Sequence, residues 1–343
     1  MNKFLAAGAA VTALLGLPAA AKPHGAKPPY KLIKTVSLGA PDRWDYVVVD
    51  PAAHRVYVAH GDQLAVVDAR SGKVLGAVTG IPGGTHGTAI SHATGTGYTD
   101  DGRTGEAVAF DLKTLKITAH IKTDQDADAM AFDPASGHVF VMEGDPAKVV
   151  AIDPKTNAVL ASIDAGGKVE YGAADGKGHL FVNGEEKREL IRIDTGANAV
   201  DGRWSIADCE SPHGLAIDAQ NERVFVSCVN SKLLAVNGDT GAIVATLPIG
   251  KGSDAAGFDP THHRVFSANG RDGTLSVIQQ DGPDSYTPLA TVTTRVSGRT
   301  LGVDPQTGRL YIAAADLDGT LGANGRPKAK PGSLKLLIYA PDK

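Results

Sequence analysis

Seven polar residues recur along the sequence at near-constant spacing. They are Asp45, His86, Asp128, Glu170, His213, Asp254 and Arg299, separated by 41 to 45 residues. Each stands five positions before the Asp, or in one case Ser91, that ends a short apolar run. Brought together by one fold, they would offer carboxylates, imidazoles and a guanidinium at a single place. Asp45, Asp128, Glu170 and Asp254 could then ligate a divalent ion, with calcium or manganese favoured by the carboxylates and zinc by the histidines. The same ring could be catalytic, with His86, Glu170 and His213 moving protons. Arg299 would grip an anionic substrate through its two-pronged donor set. A plainer reading is that these residues only solvate a wet tunnel. All three readings stay open on the sequence.

The elements that must position this ring are themselves repeated. A short strand-like run carrying one aromatic occurs seven times, as RVYVAH (55–60), GTGYTD (95–100), HVFVME (138–143), HLFVNG (179–184), RVFVSC (223–228), RVFSAN (264–269) and RLYIAA (309–314). The aromatics Tyr57, Tyr98, Phe140, Phe181, Phe225, Phe266 and Tyr311 recur every 41 to 45 residues. A period near 42 suits the four-stranded blade of a β-propeller. The third unit shows all four strands: ADAMAF (127–132), HVFVME, KVVAI (148–152) and AVLASI (158–163). Turns such as DPASG and DARSG separate them. Asp at the first turn position bonds the backbone two residues on, and Gly or Asn later tolerates positive φ.

The fold expected is therefore all-β, a seven-bladed propeller. The last unit lacks a fourth strand, whereas KLIKTVSL (31–38) precedes the first unit and has strand character. The N-terminal strand is expected to complete the last blade and so remove the free edges of an open ring. The innermost strand of each blade lines the central channel, so the seven polar residues should meet at one mouth. The loops between second and third strands open on that same face. They bring His60, Asp101, Glu143, Glu185, Asn230, Asn269 and Asp316 to its rim, each more readily explained as a solvated loop residue. In the last blade this loop extends over 317–332 and carries Arg326, Lys328 and Lys330. It reads either as a basic lid or as a disordered insertion.

The Y/F-V-x-x strand, the D-x-x-T-G turn and the following P-x-G-x-A-x-D strand resemble those of YVTN-repeat, or YncE-type, seven-bladed propellers. SPHGLAIDAQNERVFVSC (211–228), NGDTGAIVATLPIG (237–250) and DPASGHVFVME (133–143) carry the likeness, which spans about residues 30–340. The resemblance implies a seven-bladed propeller and export from the cytoplasm, but no particular activity, because many functions sit on this fold. DNA or RNA binding has been suggested for such propellers. Here no basic, aromatic-interleaved tract supports it, and a net charge of −4 offers no general attraction to nucleic acid.

Residues 1–21 read as an export signal, with Lys3 ahead of an apolar run from Phe4 to Leu17 and a small-residue site at Ala19-Ala20-Ala21. Pro18 interrupts the run before it could span a membrane. Residues 22–343 then form one exported domain, periplasmic or secreted, without a membrane span. An oxidising compartment permits a disulfide between Cys209 and Cys228, the only cysteines. Pairing 218 with 223 across the hairpin sets residue 228 opposite 213, four positions from Cys209. Two buried free thiols are the alternative. Phosphate-cradling, serine-elbow and haem-attachment motifs are absent from the sequence.

The favoured function is binding of a small ligand or divalent ion at the polar mouth. A metal-assisted hydrolase of lactonase or esterase type, on the same ring, is the second reading, and rests on analogy with propeller lactonases. A protein-interaction scaffold is the third. A monomer is expected.

Overall fold

The computed structural model describes residues 28–322 and 325–342. The export signal read at residues 1–21 lies outside them. The described chain is all-β and forms seven sheets of four strand positions, arranged as the blades of a propeller. Blade 3 runs outward from the channel through Ala127–Phe132, Val139–Glu143, Lys148–Asp153 and Ala158–Asp164. Blade 6 departs from the pattern. Its long third strand, Thr274–Gly282, pairs on its outer side with both Ser285–Pro288 and Val292–Thr293.

The ring closes as the sequence predicts. Tyr30–Ser37 pairs antiparallel with Lys335–Pro341, which pairs with Leu310–Ala314, so the N-terminal strand is the outer strand of blade 7. Leu310–Ala314 in turn pairs with the innermost strand, Thr300–Val303.

The core is distributed rather than central. Seven clusters of buried side chains each join two successive blades. The seam between blades 7 and 1 is sealed like the others, by Tyr311, Leu336 and Ile338 against Val56, Val58 and Val67. The seven repeated aromatics are all buried in these clusters. Small residues keep the inner strands close. A Cβ on Gly87 would lie 2.3 Å from Met130 N, and one on Gly214 would lie 2.2 Å from Ala256 N. Any larger residue there would push neighbouring blades apart.

The turns use the expected Asx chemistry. Asp68 accepts from Ser71 N at 2.7 Å, Asp111 from Thr114 N at 2.7 Å, and Asn237 from Thr240 N at 2.9 Å. Among the described residues of the extended loop in the last blade are two short strands. Leu317–Leu321 pairs with Pro327–Ala329 as a two-stranded hairpin, and Asp42 ties its base by accepting from Gly332 N, Ser333 N and Leu334 N.

Candidate functional site

Each of the seven polar residues stands where the ladder of its inner strand breaks. In blades 3 to 6 the pairing with the second strand skips Asp128, Glu170 with Tyr171, His213 with Gly214, and Asp254 with Ala255. In blades 1, 2 and 7 the paired strand begins only after Asp45, His86 and Arg299, at Val47, Thr88 and Thr300. A bulge re-aims a side chain that regular alternation would direct elsewhere. The repeated break explains why polar residues are tolerated at the start of otherwise apolar strands.

The same breaks correct the cysteine register. Asp218 pairs with Arg223 as expected, but the bulge places Cys228 opposite Pro212 rather than His213. Cys209 and Cys228 are disulfide-bonded, with Cα atoms 5.2 Å apart.

Blades 5, 6 and 7 and the segment before blade 1 share a continuous network. His213 Nδ1 lies 2.6 Å from Asp254 Oδ1. Arg299 donates from Nε to Asp254 Oδ2 and from Nη2 to Trp44 O at 2.9 Å, with its guanidinium over the Trp44 ring. His213 Nε2 is 3.1 Å from Ser211 Oγ and 3.4 Å from Glu185 Oε1. Burial opposes charge on His213, yet its bonds to Asp254 and Glu185 overcome this and push it up to about 10. Burial likewise opposes charge on Asp254, but His213 and Arg299 hold it down at about 2. Glu185 is held at about 2, chiefly by its bond to His213.

On the other side of the mouth, Asp100 is fully buried and accepts from His86 N and Gly87 N, both at 2.8 Å. His86 Nδ1 stands 2.7 Å from Asp100 Oδ2. Arg43 Nη2 approaches His86 Nε2 to 2.9 Å. Burial opposes charge on His86, yet its bond to Asp100 and the nearby carboxylates Asp45 and Asp128 push it up to about 9.

Three carboxylates remain poorly neutralised. Among the described residues, Asp45 has one ion-pair contact, with Arg299 at 3.9 Å. Glu170 accepts a long bond from Tyr46 Oη at 3.5 Å. Asp128 accepts no hydrogen bond among the described residues. Burial is the main cause that raises all three, Asp45 to about 6, Asp128 to about 7 and Glu170 to about 8. Neighbouring carboxylates add to the rise in each case.

The expected metal set, Asp45, Asp128, Glu170 and Asp254, is not what the geometry gathers most closely. Among the described residues, Glu170, His213 and Asp254 have ligand atoms within 4.8 Å of one another. Both ring nitrogens of His213 are already engaged, and Asp254 is taken up by two cations. Asp45 and Asp128 stand outside this group. Arg299, expected to meet an anionic ligand, is committed to Asp254, Trp44 and Asp45.

Of the expected rim residues, Glu185 alone enters the network. His60, Asp101, Glu143 and Asn269 are buried. Glu143 accepts from Asp124 N at 2.8 Å, and Asn269 bonds Thr274 and Ser276. Asn230 ties Asp208 O at 2.9 Å, and Asp316 pairs with Arg295 and Lys335. These residues hold loops.

Tyr46, Tyr171 and Ser211 were not singled out by sequence. Tyr46 reaches from blade 1 to blade 4, where its ring centroid is 4.5 Å from that of Tyr171. The two tyrosines fill the channel beside Glu170. A signal existed: the residue after each ring member is small in five units (Gly87, Ala129, Gly214, Ala255, Thr300) and aromatic only at Tyr46 and Tyr171. On the same face a cavity of about 600 Å³ is lined by Asp145, Lys168, Glu185, Glu186, Arg188 and Ser211.

Neither a protein-family model nor a curated protein matches the sequence. Solved structures do match the fold. The RRP9 WD40 repeats superpose with a TM-score of 0.75 at 12% identity, over 89% of this chain and 97% of that one. A chain of the mitotic checkpoint complex gives 0.74 at 15% identity, over 98% and 99%. A chain of hydrazine synthase from Kuenenia stuttgartiensis gives 0.68 at 14% identity, over 83% and 94%. At these identities the likeness is one of fold: the chain is a seven-bladed β-propeller.

Proposed function

We propose that this chain is an exported, YncE-like binding propeller that takes a small, positively charged ligand or a divalent ion at the mouth of its central channel. The observation that carries this reading is the imbalance between the two sides of the mouth. Arg299 and His213 are consumed by Asp254 and Glu185, whereas Asp128 and Glu170 have no ion-pair partner among the described residues. A bound cation would let these two carboxylates ionise, and that differential stabilisation is the source of affinity. An organic ammonium suits the site better than a bare metal, because calcium seeks six to eight oxygen ligands and His213 has no free nitrogen. An anionic ligand, which Arg299 suggested from sequence, is disfavoured for the same reason that Arg299 is occupied. Export is supported by the leader-like N-terminus and agrees with a disulfide.

Titration calorimetry with calcium, manganese and zinc chlorides and with 1,4-diaminobutane tests the reading. Binding should release protons near pH 7 as Asp128 and Glu170 ionise. The combined variant Asp128→Asn, Glu170→Gln should lose it. If no cation binds the wild type, or the double variant binds equally well, the proposal is wrong.

A scaffold role draws on a different feature. Outer strands expose paired apolar residues, among them Leu32 with Ile33, Val74 with Leu75 and Val159 with Leu160. That reading predicts a function indifferent to the mouth substitutions.

A further inference from the structure

The hairpin of blade 7 reverses the charge balance of the chain that carries it. The whole sequence has 34 basic and 38 acidic residues, whereas residues 317–332 hold Arg326, Lys328 and Lys330 against one acid, Asp318. All four are exposed. In blade 1 the same connection is Gly61-Asp62 alone, between Arg55–His60 and Gln63–Asp68. A connection lengthened this far in a compact fold is commonly functional.

The cations share one face. Side chains alternate along a strand, and Ala329 of Pro327–Ala329 packs against the core between blades 7 and 1. Lys328 and Lys330 therefore stand on the outer face, and Arg326 continues the alternation. Alternate residues on a strand are about 6.7 Å apart, so the three charges form a regular row. Asp318 is taken up locally, accepting from Thr320 N and Thr320 Oγ1, both at 2.7 Å. Lys328 and Lys330 favour its charge, but neither makes an ion pair among the described residues.

The row is held in place. Asp42, three positions before Asp45, accepts from Gly332 N at 2.6 Å and Ser333 N at 2.8 Å. Lys330 N donates to Asp316 O at 2.7 Å, and Asp316 pairs with Arg295 and Lys335. A fixed row has less freedom to lose on binding than a loose loop. Pro327 and Pro331 have no N–H, so this strand is a poor template for a further β-strand. Recognition falls to the side chains.

We propose that this hairpin is a docking surface for an acidic, extended segment of a partner protein. Carboxylates at every second position of such a segment have the spacing of Arg326, Lys328 and Lys330. A bilayer or a nucleic-acid duplex is a broad anionic surface. Either would also meet the un-neutralised carboxylates of the mouth and a chain of net charge −4. A short acidic segment reaches the hairpin alone. None of this depends on whether the mouth binds a cation.

The test is fluorescence anisotropy with a fluorescein-tagged peptide of alternating Glu and Ser, and with its Gln counterpart. The acidic peptide should bind and the Gln peptide should not. Lys328→Glu combined with Lys330→Glu should weaken binding about tenfold or more, with the melting temperature confirming folding. Lys113→Glu with Lys155→Glu, on exposed turns elsewhere, shifts net charge equally and should bind as wild type does. Carbodiimide joins a bound carboxylate to the amine it meets, so peptide mass spectrometry of the wild type should find amides at Lys328 or Lys330. That readout needs no variant. No binding by the wild type, an equal loss in both charge-reversed variants, or cross-links only elsewhere each overturns the proposal. Sedimentation with phosphatidylglycerol vesicles that depends on the same lysines, and that the peptide fails to compete, overturns it in favour of a membrane.

Discussion

His213 of blade 5 and Asp254 of blade 6 are joined by a 2.6 Å contact between Nδ1 and Oδ1, with about a fifth of each side chain exposed. The pair couples two blades at the mouth and orders everything around it. Asp254 also anchors Arg299, and His213 also meets Ser211 and Glu185.

Asp254→Asn should therefore cost about 3 kcal/mol near neutral pH, since it leaves two cations in a confined site without their shared anion. The pH dependence follows from the shifts. His213 lies near 10 against an ordinary 6.5, so its contribution is full below about 6.5 and is lost as pH rises through about 10. Asp254 lies near 2 against an ordinary 3.8, so its contribution is present above 3.8 and is lost as pH falls through about 2. Urea melts of both proteins at pH 6, 8 and 10 check this. A stability gap that stays the same at pH 10 would contradict it.

Glu170→Gln should act in the opposite sense. Glu170 is raised from 4.5 to about 8, so the native state holds its proton longer than the unfolded chain does. Its effect on stability is neutral below about 4.5 and increasingly unfavourable as pH rises towards 8. The glutamine variant should match wild type at pH 4 and exceed it at pH 8.5 by on the order of 2 kcal/mol. Paired melts at those two values decide it, and a variant weaker than wild type at pH 8.5 refutes it.

Reducing the Cys209–Cys228 bond, which spans 19 positions, should lower stability by about 3 kcal/mol through the freed unfolded chain. Melts of wild type and Cys209→Ser, Cys228→Ser with and without a phosphine reductant measure the loss. Only wild type should respond to the reductant. A thiol assay on the untreated chain should find no free cysteine.

Tyr30→Ala should weaken ring closure. Tyr30 is buried on the N-terminal strand and packs edge-on against Phe266 of blade 6, with centroids 5.2 Å apart. Losing that ring should cost about 3 kcal/mol, seen as a lower urea midpoint. Deleting Tyr30–Ser37 should abolish cooperative unfolding. A truncated chain that melts like wild type would show that the ring does not depend on this strand.

The architecture was legible because it is written in local terms. An Asx turn needs an Asp or Asn and a residue tolerant of positive φ, and a buried aromatic needs one position per blade. Both leave marks that recur at a fixed period, so Tyr57 through Tyr311 disclosed the blades and the unpaired KLIKTVSL disclosed the closure. The same period exposed Asp45 through Arg299 as one structural position sampled seven times. Sequence also placed Cys209 near Cys228, and missed the true register by one because a bulge leaves no spacing signal in a single hairpin.

What the sequence determined by itself was the ring: its blade count, its closing strand, and the identity of seven residues at the mouth. Which of them pair was decided only in three dimensions. Asp254 could as readily have met Arg299 alone, leaving His213 free to bind a metal. Instead it takes both, Arg299 is spent, and Asp128 and Glu170 are left unneutralised. The physical reason is that the deciding partners come from different blades, His213 and Asp254 41 residues apart and Asp254 and Arg299 45 apart. Their contact is set by how far each bulge turns a side chain into the channel and by Tyr46 and Tyr171 filling it. Periodicity reports neither quantity.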